Sequence, residues 1–589
     1  MRAPNPLRLC GLHARLGATQ REMRVKQFAI LKLAAMGLSV GLMCASPTIG
    51  FADAGSYLAT RQALIGRDYQ EQAHYAVKSL VTDPQNPDLL ETVIAAKISL
   101  GAFDDAFGYA TMLKEIEPGS QTAAMILFTR LAEAGDWDGV LAALDAGEGV
   151  SSIIDGLTRA WAHVGKGDMS AALELFSTLS TGDDGFQVFG PYNRALALAM
   201  VGDFETGLDI LSSPEMPQSG GVVYARAQML SQLERNDEAR ALIRDTFGPT
   251  NDPQILALDA QLAANESVPF DIVTSPKDGI AEVFSLVADA VNGGLDDGYT
   301  LLYARVALKL RPEKADYALK VASILERLEH YDLATQVYAT IDPASPAYHM
   351  GELGRAAALR AAGKSDAELE VLRGLSKTHS TLPEVYTALG DALRRAESYE
   401  AAITAYTAAL SQVSELTAAQ WPILFTRAIA FERSDQWDKA EIDFRRALEL
   451  QPGQPQVLNY MGYSFLEMNT NLDEAMSMIR AAVAARPNDG YITDSLAWGL
   501  YRLREFEAAV APMEKAASLL PVDPIINDHL GDVYWAVGRT REARFQWARA
   551  LSFDPEETDA DRIRLKLSLG LDRVLVEEGL EPTRAPIDG

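Results

Sequence analysis

The chain is 589 residues long and carries 81 acidic against 53 basic side chains, a formal net charge of −28 at neutral pH. That balance excludes a nucleic-acid backbone as the natural partner, because binding one depends on neutralising phosphates with Lys and Arg, and it disfavours anionic lipid surfaces for the same reason. A basic protein or peptide segment is the complement such a surface calls for.

Residues 1–54 read as a targeting segment rather than as structure. Met23 is followed by Arg24 and Lys26, by an uncharged run from Leu33 to Ala45, by Pro47 and Gly50, and by a small-x-small cleavage site at Ala52, Asp53 and Ala54. The expected consequence is export, with Met23 as the true start; the alternative is an unusually long basic leader. The 13 uncharged residues fall short of the roughly 20 that span a bilayer. Both cysteines, Cys10 and Cys44, lie in this leader, so a chain cleaved after Ala54 has no disulfide. Cys44 ends the apolar run where a lipidated cysteine would sit, although Met43 and Gly41 match the small-residue signal poorly. Membrane attachment hangs on that one residue. Cleavage removes seven basic and two acidic side chains, leaving a net charge of about −33.

From 55 to 250 the chain shows a degenerate helix–turn–helix spacing. Gly101, Phe103, Ala106 and Pro118 mark one copy, and others are anchored on Gly135 with Trp137, Gly167 with Ala172, Gly202 with Phe204, and Ala239. Ser212 to Gly221, rich in Ser, Pro and Gly, reads as a longer loop. Residues 251–279 interrupt the spacing, because Pro269 and Pro276 bracket a stretch without helical periodicity. This junction either separates two solenoid segments or is a long loop in one continuous superhelix.

Residues 280–556 repeat far more clearly. Tyr331, Ala334 and Tyr338 mark one copy and Tyr386, Leu389, Gly390, Ala402, Tyr406 and Ala409 another. Beyond residue 421 the period is 34 residues, with prolines at 452, 487, 521 and 555 and small residues at Ala440, Ala475, Ala509 and Ala543. Within the last copy Leu530, Gly531 and Tyr534 share one face of a first helix, Gly538 turns the chain, and Ala543, Trp547 and Ala550 form one stripe of a second helix. This spacing resembles the tetratricopeptide repeat. The resemblance implies an all-α tetratricopeptide (TPR) solenoid, a superhelix of roughly fourteen helical hairpins, since a single pair of helices cannot bury its own apolar face.

Residues 557–580 are expected as a capping helix, with Ile563, Leu567, Leu571 and Val574 on the side facing the stack and Arg562, Arg564, Asp572 and Arg573 elsewhere. The tail 581–589, with Pro582 and Pro586, is expected to be disordered.

No catalytic constellation emerges. The seven histidines (His13, His74, His163, His330, His349, His379, His529) include no pair at zinc-ligand spacing. Gly363, Lys364 and Ser365 imitate the end of a phosphate loop, but Ala358 stands where its first glycine belongs. Acidic pairs such as Asp104 with Asp105 and Asp296 with Asp297 fit helix starts. The expectation is therefore a chain that is not an enzyme and needs no cofactor or metal.

In a tetratricopeptide stack the first helix of each pair lines the inner wall. Its non-core positions here form triplets that recur from copy to copy, among them Asp494, Trp498 and Tyr501, and Asp528, Asp532 and Trp535, with Tyr463 in the same row as Trp498. Tyr463, Asp494, Trp498, Tyr501, Asp528, Asp532 and Trp535 are the candidate partner-binding residues: an aromatic and acidic groove suited to a cationic or amide-rich protein segment. The alternative is that tight curvature packs these aromatics against neighbouring repeats.

The segments LNYMGY (458–463), PNDGYITDSLAW (487–498) and PIINDHLGDVYWAVGRTREARFQW (524–547) resemble a group of exported bacterial tetratricopeptide proteins more specifically than the generic repeat does. In that group a pseudomonad outer-membrane lipoprotein partners and activates a periplasmic carboxyl-terminal processing protease and brings cell-wall hydrolases to it. The resemblance implies a periplasmic adaptor whose partners are protein or peptide segments, a protease or cell-wall hydrolase among them. Two alternatives from other classes are a cell-wall glycan binder and an envelope enzyme with an N-terminal site that the sequence hides.

Overall fold

The computed structural model describes residues 54–584 apart from 180–186, 249, 251–252 and 295. The leader expected at 1–54 thus falls outside the described residues except for Ala54, where the first helix, Ala54–Ile65, begins. Every regular element among the described residues is a helix. Among the described residues, fourteen helix–turn–helix pairs are followed by a shorter terminal pair, and Pro253–Ala263 stands outside this pairing. The faint copies at Gly101, Gly135, Gly167 and Gly202 all prove to be turns between paired helices.

Local chemistry accounts for the helix boundaries. Asp68, Asn86, Ser120, Asp136, Ser151 and Asp523 each accept a backbone N–H at a helix start, an interaction worth about 1 kcal/mol apiece. Asp104 and Asp105 lie in the first turn of Phe103–Ile116, and Asp296 caps Asp297–Leu310, the structural roles expected of those pairs. The turn inside each pair takes a left-handed residue. Gly538 supplies it in the last clear copy, whereas Arg67, Glu234, Glu329, Glu397, Asp435 and Arg504 adopt the same conformation with φ between 53° and 65°.

The chain divides into two compact units, one ending at Val385 and the other beginning at Tyr386. The division falls well beyond the junction expected at 251–279, and the packing of the N-terminal unit gives the reason. Its helical pair Pro276–Val291 and Asp297–Leu310 turns back onto the first helices of earlier pairs: Pro276–Val291 packs on Ser152–Gly165 and Phe189–Met200, and Asp297–Leu310 on Pro87–Leu100 and Gln121–Ala134. The inner face of the N-terminal array is thereby filled by its own later hairpin.

Specific contacts hold that hairpin in place. Gly279 lies flat against Trp161, so close that a Cβ there would come within 2.2 Å of the indole ring. Glu282 accepts hydrogen bonds from Tyr192 (3.0 Å) and Tyr317 (2.5 Å), and burial together with that carboxylate drives both tyrosine pKa values well above the ordinary range. Arg305 donates through Nε to the carbonyl of Ser99 at 2.9 Å.

The junction itself is not loop throughout. Residues 253–263 are helical, and the irregular stretch after them is fastened to Gly220–Gln232: Ser231 and Gln232 bond the main chain of Val268, and Gln228 bonds both the side chain and N–H of Asp271. Val273 is fully buried.

The C-terminal unit keeps the 34-residue logic. Ala440, Ala475, Ala509 and Ala543 are completely enclosed, as are Phe444, Ile479, Met513 and Trp547 on the second-helix stripes. The segment 557–580, expected as one helix, is two, Glu557–Leu569 and Leu571–Glu577, broken at Gly570. Gly570 has φ 83°, and a side chain there would collide with the Trp535 ring. Ile563, Leu571 and Val574 are buried as expected, but Leu567 is only half-buried and Arg562, expected away from the stack, turns inward toward Asp532. Residues 581–584 of the tail expected to be disordered pack back on the unit, held by Asp572 and Arg504; residues 585–589 lie outside the described residues.

Candidate functional site: the inner wall of the C-terminal unit

The candidate residues sit on three consecutive first helices, Pro455–Glu467, Gly490–Arg502 and Pro524–Ala536. Helical spacing of four and seven residues puts Asp494, Trp498 and Tyr501 on one face, and Asp528, Asp532 and Trp535 on the matching face one repeat later. The structure brings the rows together, and it also closes them. Tyr463, Asp494, Tyr501, Asp528, Asp532 and Trp535 are all buried, and Trp498 is half-buried.

The aromatic part is a stack. The Trp498 ring lies between Tyr501, at 4.8 Å, and His529 from the next repeat, at 4.0 Å, with both interplanar angles 14°. Its indole N–H donates to Glu467 at 3.0 Å, and Glu467 in turn pairs with Arg502 at 3.3 Å. The Tyr463 hydroxyl is buried, burial pushes its pKa well up, and the nearby Glu467 and Asp494 push it further.

The acidic part is neutralised from within the chain. Asp494 holds His529 Nδ1 at 3.0 Å; burial opposes the imidazolium, but the Asp494 carboxylate prevails and sets the His529 pKa above its ordinary value. Lys566, completely enclosed, lies 2.7 Å from Asp528 and 2.8 Å from Asp532. Arg562 stands 3.8 Å from Asp532, and Trp547 donates to the same carboxylate at 2.9 Å. Burial raises the Asp532 pKa, with Lys566 pulling in the opposite direction. Arg562 and Lys566 occupy, one period on, the helical positions of Asp528 and Asp532. Two rows therefore run from acid to base across a repeat boundary, and the wall is a seam that joins repeats.

Trp535 is the exception in kind. Its indole N–H donates to Asp572 at 2.8 Å, one ring face packs on Trp547 at 5.4 Å, and the guanidinium of Arg584, from the tail, lies over the ring at 4.4 Å.

Of the other wall residues, Lys566, Glu467 and Arg584 were not singled out in the sequence analysis, His529 was weighed only as a metal ligand, and Arg562 and Asp572 were expected away from the side facing the stack. A signal for two of them was present: extending the 34-residue register past Pro555 lands on Arg562 and Lys566. Among the described residues no group of three or more His, Cys, Asp or Glu side chains is arranged to hold a metal, and no helix is long and apolar enough to cross a membrane.

With this geometry in hand, the comparisons with known proteins fall into place. A tetratricopeptide repeat model matches residues 387–455 and 425–490. Residues 387–490 are tetratricopeptide repeats. The described pairs on either side continue the same all-helical helix–turn–helix architecture. A "TPR repeat-containing protein" of Pseudomonas aeruginosa is 27% identical over 203 residues, which is 34% of this chain and 33% of that protein. The match thus spans about a third of the relative's length. Among solved structures, the Cut9–Hcn1 hetero-tetramer of the APC/C gives a TM-score of 0.37 at 13% identity, covering 88% of this chain and 96% of that one. A tetratricopeptide protein of Parabacteroides merdae also gives 0.37, at 16% identity over 43% of this chain and 98% of that one. Superpositions this loose assign no partner.

Proposed function

We propose that the protein is a non-enzymatic scaffold that binds segments of other proteins in the bacterial periplasm after export, and that it brings a protease or an envelope-assembly machine to its substrates. Tetratricopeptide arrays present long helical faces suited to holding other polypeptides. The observation that carries the reading is the pairing of the wall's reactive-looking groups. Asp494 is paired with His529, and Asp528 and Asp532 with Lys566, so this charged cluster serves to join neighbouring repeats. The adaptor role, the export and the protease partner rest on the sequence resemblance and the acidic surface. Glycan binding is the weaker reading, because sugar recognition wants open aromatic platforms and these rings are stacked or enclosed.

The test is affinity capture of the mature chain from periplasm, followed by reconstitution of each captured protein with the purified chain. The reading expects at least one saturable protein–protein complex. Co-sedimentation with purified sacculi in its place, or turnover of a cell-wall substrate by the purified chain, contradicts it.

A further inference from the structure

The C-terminal tail crosses the inner wall where Trp535 lies. The Arg504 guanidinium donates to the carbonyl of Pro582 at 2.9 Å and faces Glu581 at 3.7 Å. One residue on, the N–H and hydroxyl of Thr583 both donate to Asp572, each at 2.7 Å. One further on, Arg584 donates its N–H and its Nε to the same carboxylate, at 3.3 Å each, and covers the Trp535 ring. Burial would raise the Asp572 carboxyl, but these donors and the Trp535 N–H outweigh it and hold its pKa low. A second cation, Arg544, approaches the same ring at 5.9 Å.

These contacts form a three-point reader: a cation for a backbone carbonyl, a carboxylate for a hydroxyl residue, and a carboxylate with an indole face for the cation that follows. We propose that residues 581–584 are a strap occupying, in cis, a subsite for a basic segment of a partner protein, and that a segment with a hydroxyl residue immediately before Arg displaces it. This rests on the scaffold reading above. Charge supports the choice of occupant, because the bound cation meets Asp572 and an indole on a strongly acidic chain. So does the weakness of the strap's hold. The Arg504 side chain is 48% exposed and Glu581 88%, and exposed pairs of that kind contribute about 0 to 1 kcal/mol. The Thr583 and Arg584 contacts to Asp572 are part-buried, with Arg584 29% and Asp572 24% exposed, so the strap lies nearer solvent than the seam beneath it, which is closed by the fully enclosed Lys566 and opens at greater cost. A partner segment making the same contacts competes on even terms.

The test uses the mature chain, its Thr583→Ala/Arg584→Ala form, and a form ending at Leu580, each titrated by calorimetry and tryptophan emission. The probes are a synthetic peptide of residues 580–589, an unrelated peptide retaining only the Thr-Arg pair, and the first peptide with Arg replaced by Ala. Both Thr-Arg peptides should bind the two strap-released forms saturably and bind the mature chain at least tenfold more weakly, and the Ala peptide should lose at least tenfold. If the shortened form fails to fold by circular dichroism, the doubly substituted chain decides. Absence of binding to the released forms, equal binding to the mature chain, or equal binding of the Ala peptide overturns the proposal. If the peptides fail while the mature chain still forms its saturable protein complexes, the strap falls and the scaffold stands; if the peptides bind and no protein complex forms, the scaffold falls.

Discussion

Lys566 reaches back one repeat to lie 2.7 Å from Asp528 and 2.8 Å from Asp532, and no part of its side chain meets solvent. Removing one member of a buried ionic group strands the others, which typically costs about 3 to 5 kcal/mol. Lys566→Met should destabilise the C-terminal unit by that amount, since Arg562 at 3.8 Å is the remaining cation near Asp532. Adding Asp528→Asn and Asp532→Asn should recover most of the loss. Urea unfolding followed by tryptophan emission measures both, and an unchanged midpoint for Lys566→Met would show that the cluster contributes nothing.

That cluster also marks where the sequence stopped being legible. The small positions, the prolines and the acidic and aromatic rows of residues 421–555 could be read because each recurs at the same offset. What the rows face could not, because a period gives helical register but not how sharply successive repeats turn. Asp528 and Asp532 looked like free acid for a ligand only while the register was stopped at Pro555, short of Arg562 and Lys566. In the N-terminal array, Gly101, Gly135, Gly167 and Gly202 announced the copies that could be read, whereas Arg67 and Glu234 hold turns where a glycine would have announced others. The return of Pro276–Val291 onto Ser152–Gly165 is a long-range packing event with no periodic signature at all.

Gly279 gives a prediction whose sign separates packing from propensity. Alanine is favoured over glycine inside a helix by about 1 kcal/mol, so propensity alone makes Gly279→Ala stabilising. Against Trp161 the new Cβ would meet ring carbons at 2.2 Å, and overpacking of that sort costs about 1 to 3 kcal/mol or more. Thermal unfolding should show a lower midpoint for Gly279→Ala and a smaller effect of the same change in a Trp161→Leu background. A stabilised Gly279→Ala chain would mean that the hairpin does not seat on Trp161.

His529 makes the C-terminal unit sensitive to pH in a definite direction. Its pKa is raised in the folded chain, the Asp494 carboxylate outweighing burial. The stabilisation is therefore fully present below the unfolded value of about 6.5 and is lost as pH rises through the higher folded value, at ~1.4 kcal/mol for each unit of difference. The stability gap between the native chain and His529→Gln should be widest at acidic pH and narrow on the alkaline side. A gap that stays flat from pH 5.5 to 9 counts against a charged His529.

Glu397 holds a left-handed turn with φ 55° and is exposed. A residue with a side chain pays roughly 1 to 2 kcal/mol in that conformation, part of which glycine returns as backbone entropy. Glu397→Gly should accordingly raise stability by about 0.5 to 1 kcal/mol, read as a shift in the urea midpoint. A loss of stability would place a stabilising contact on the Glu397 side chain.

The central claim is that this solenoid works by holding other proteins and not by bond chemistry. Cross-linking of the chain in intact cells, with identification of what is captured and a titration of each purified candidate against the chain, tests it most directly. The account expects one or more discrete proteins that bind reversibly and saturably at fixed stoichiometry. Recovery of no protein that survives titration, with the purified chain instead turning over a cell-wall substrate, would contradict it.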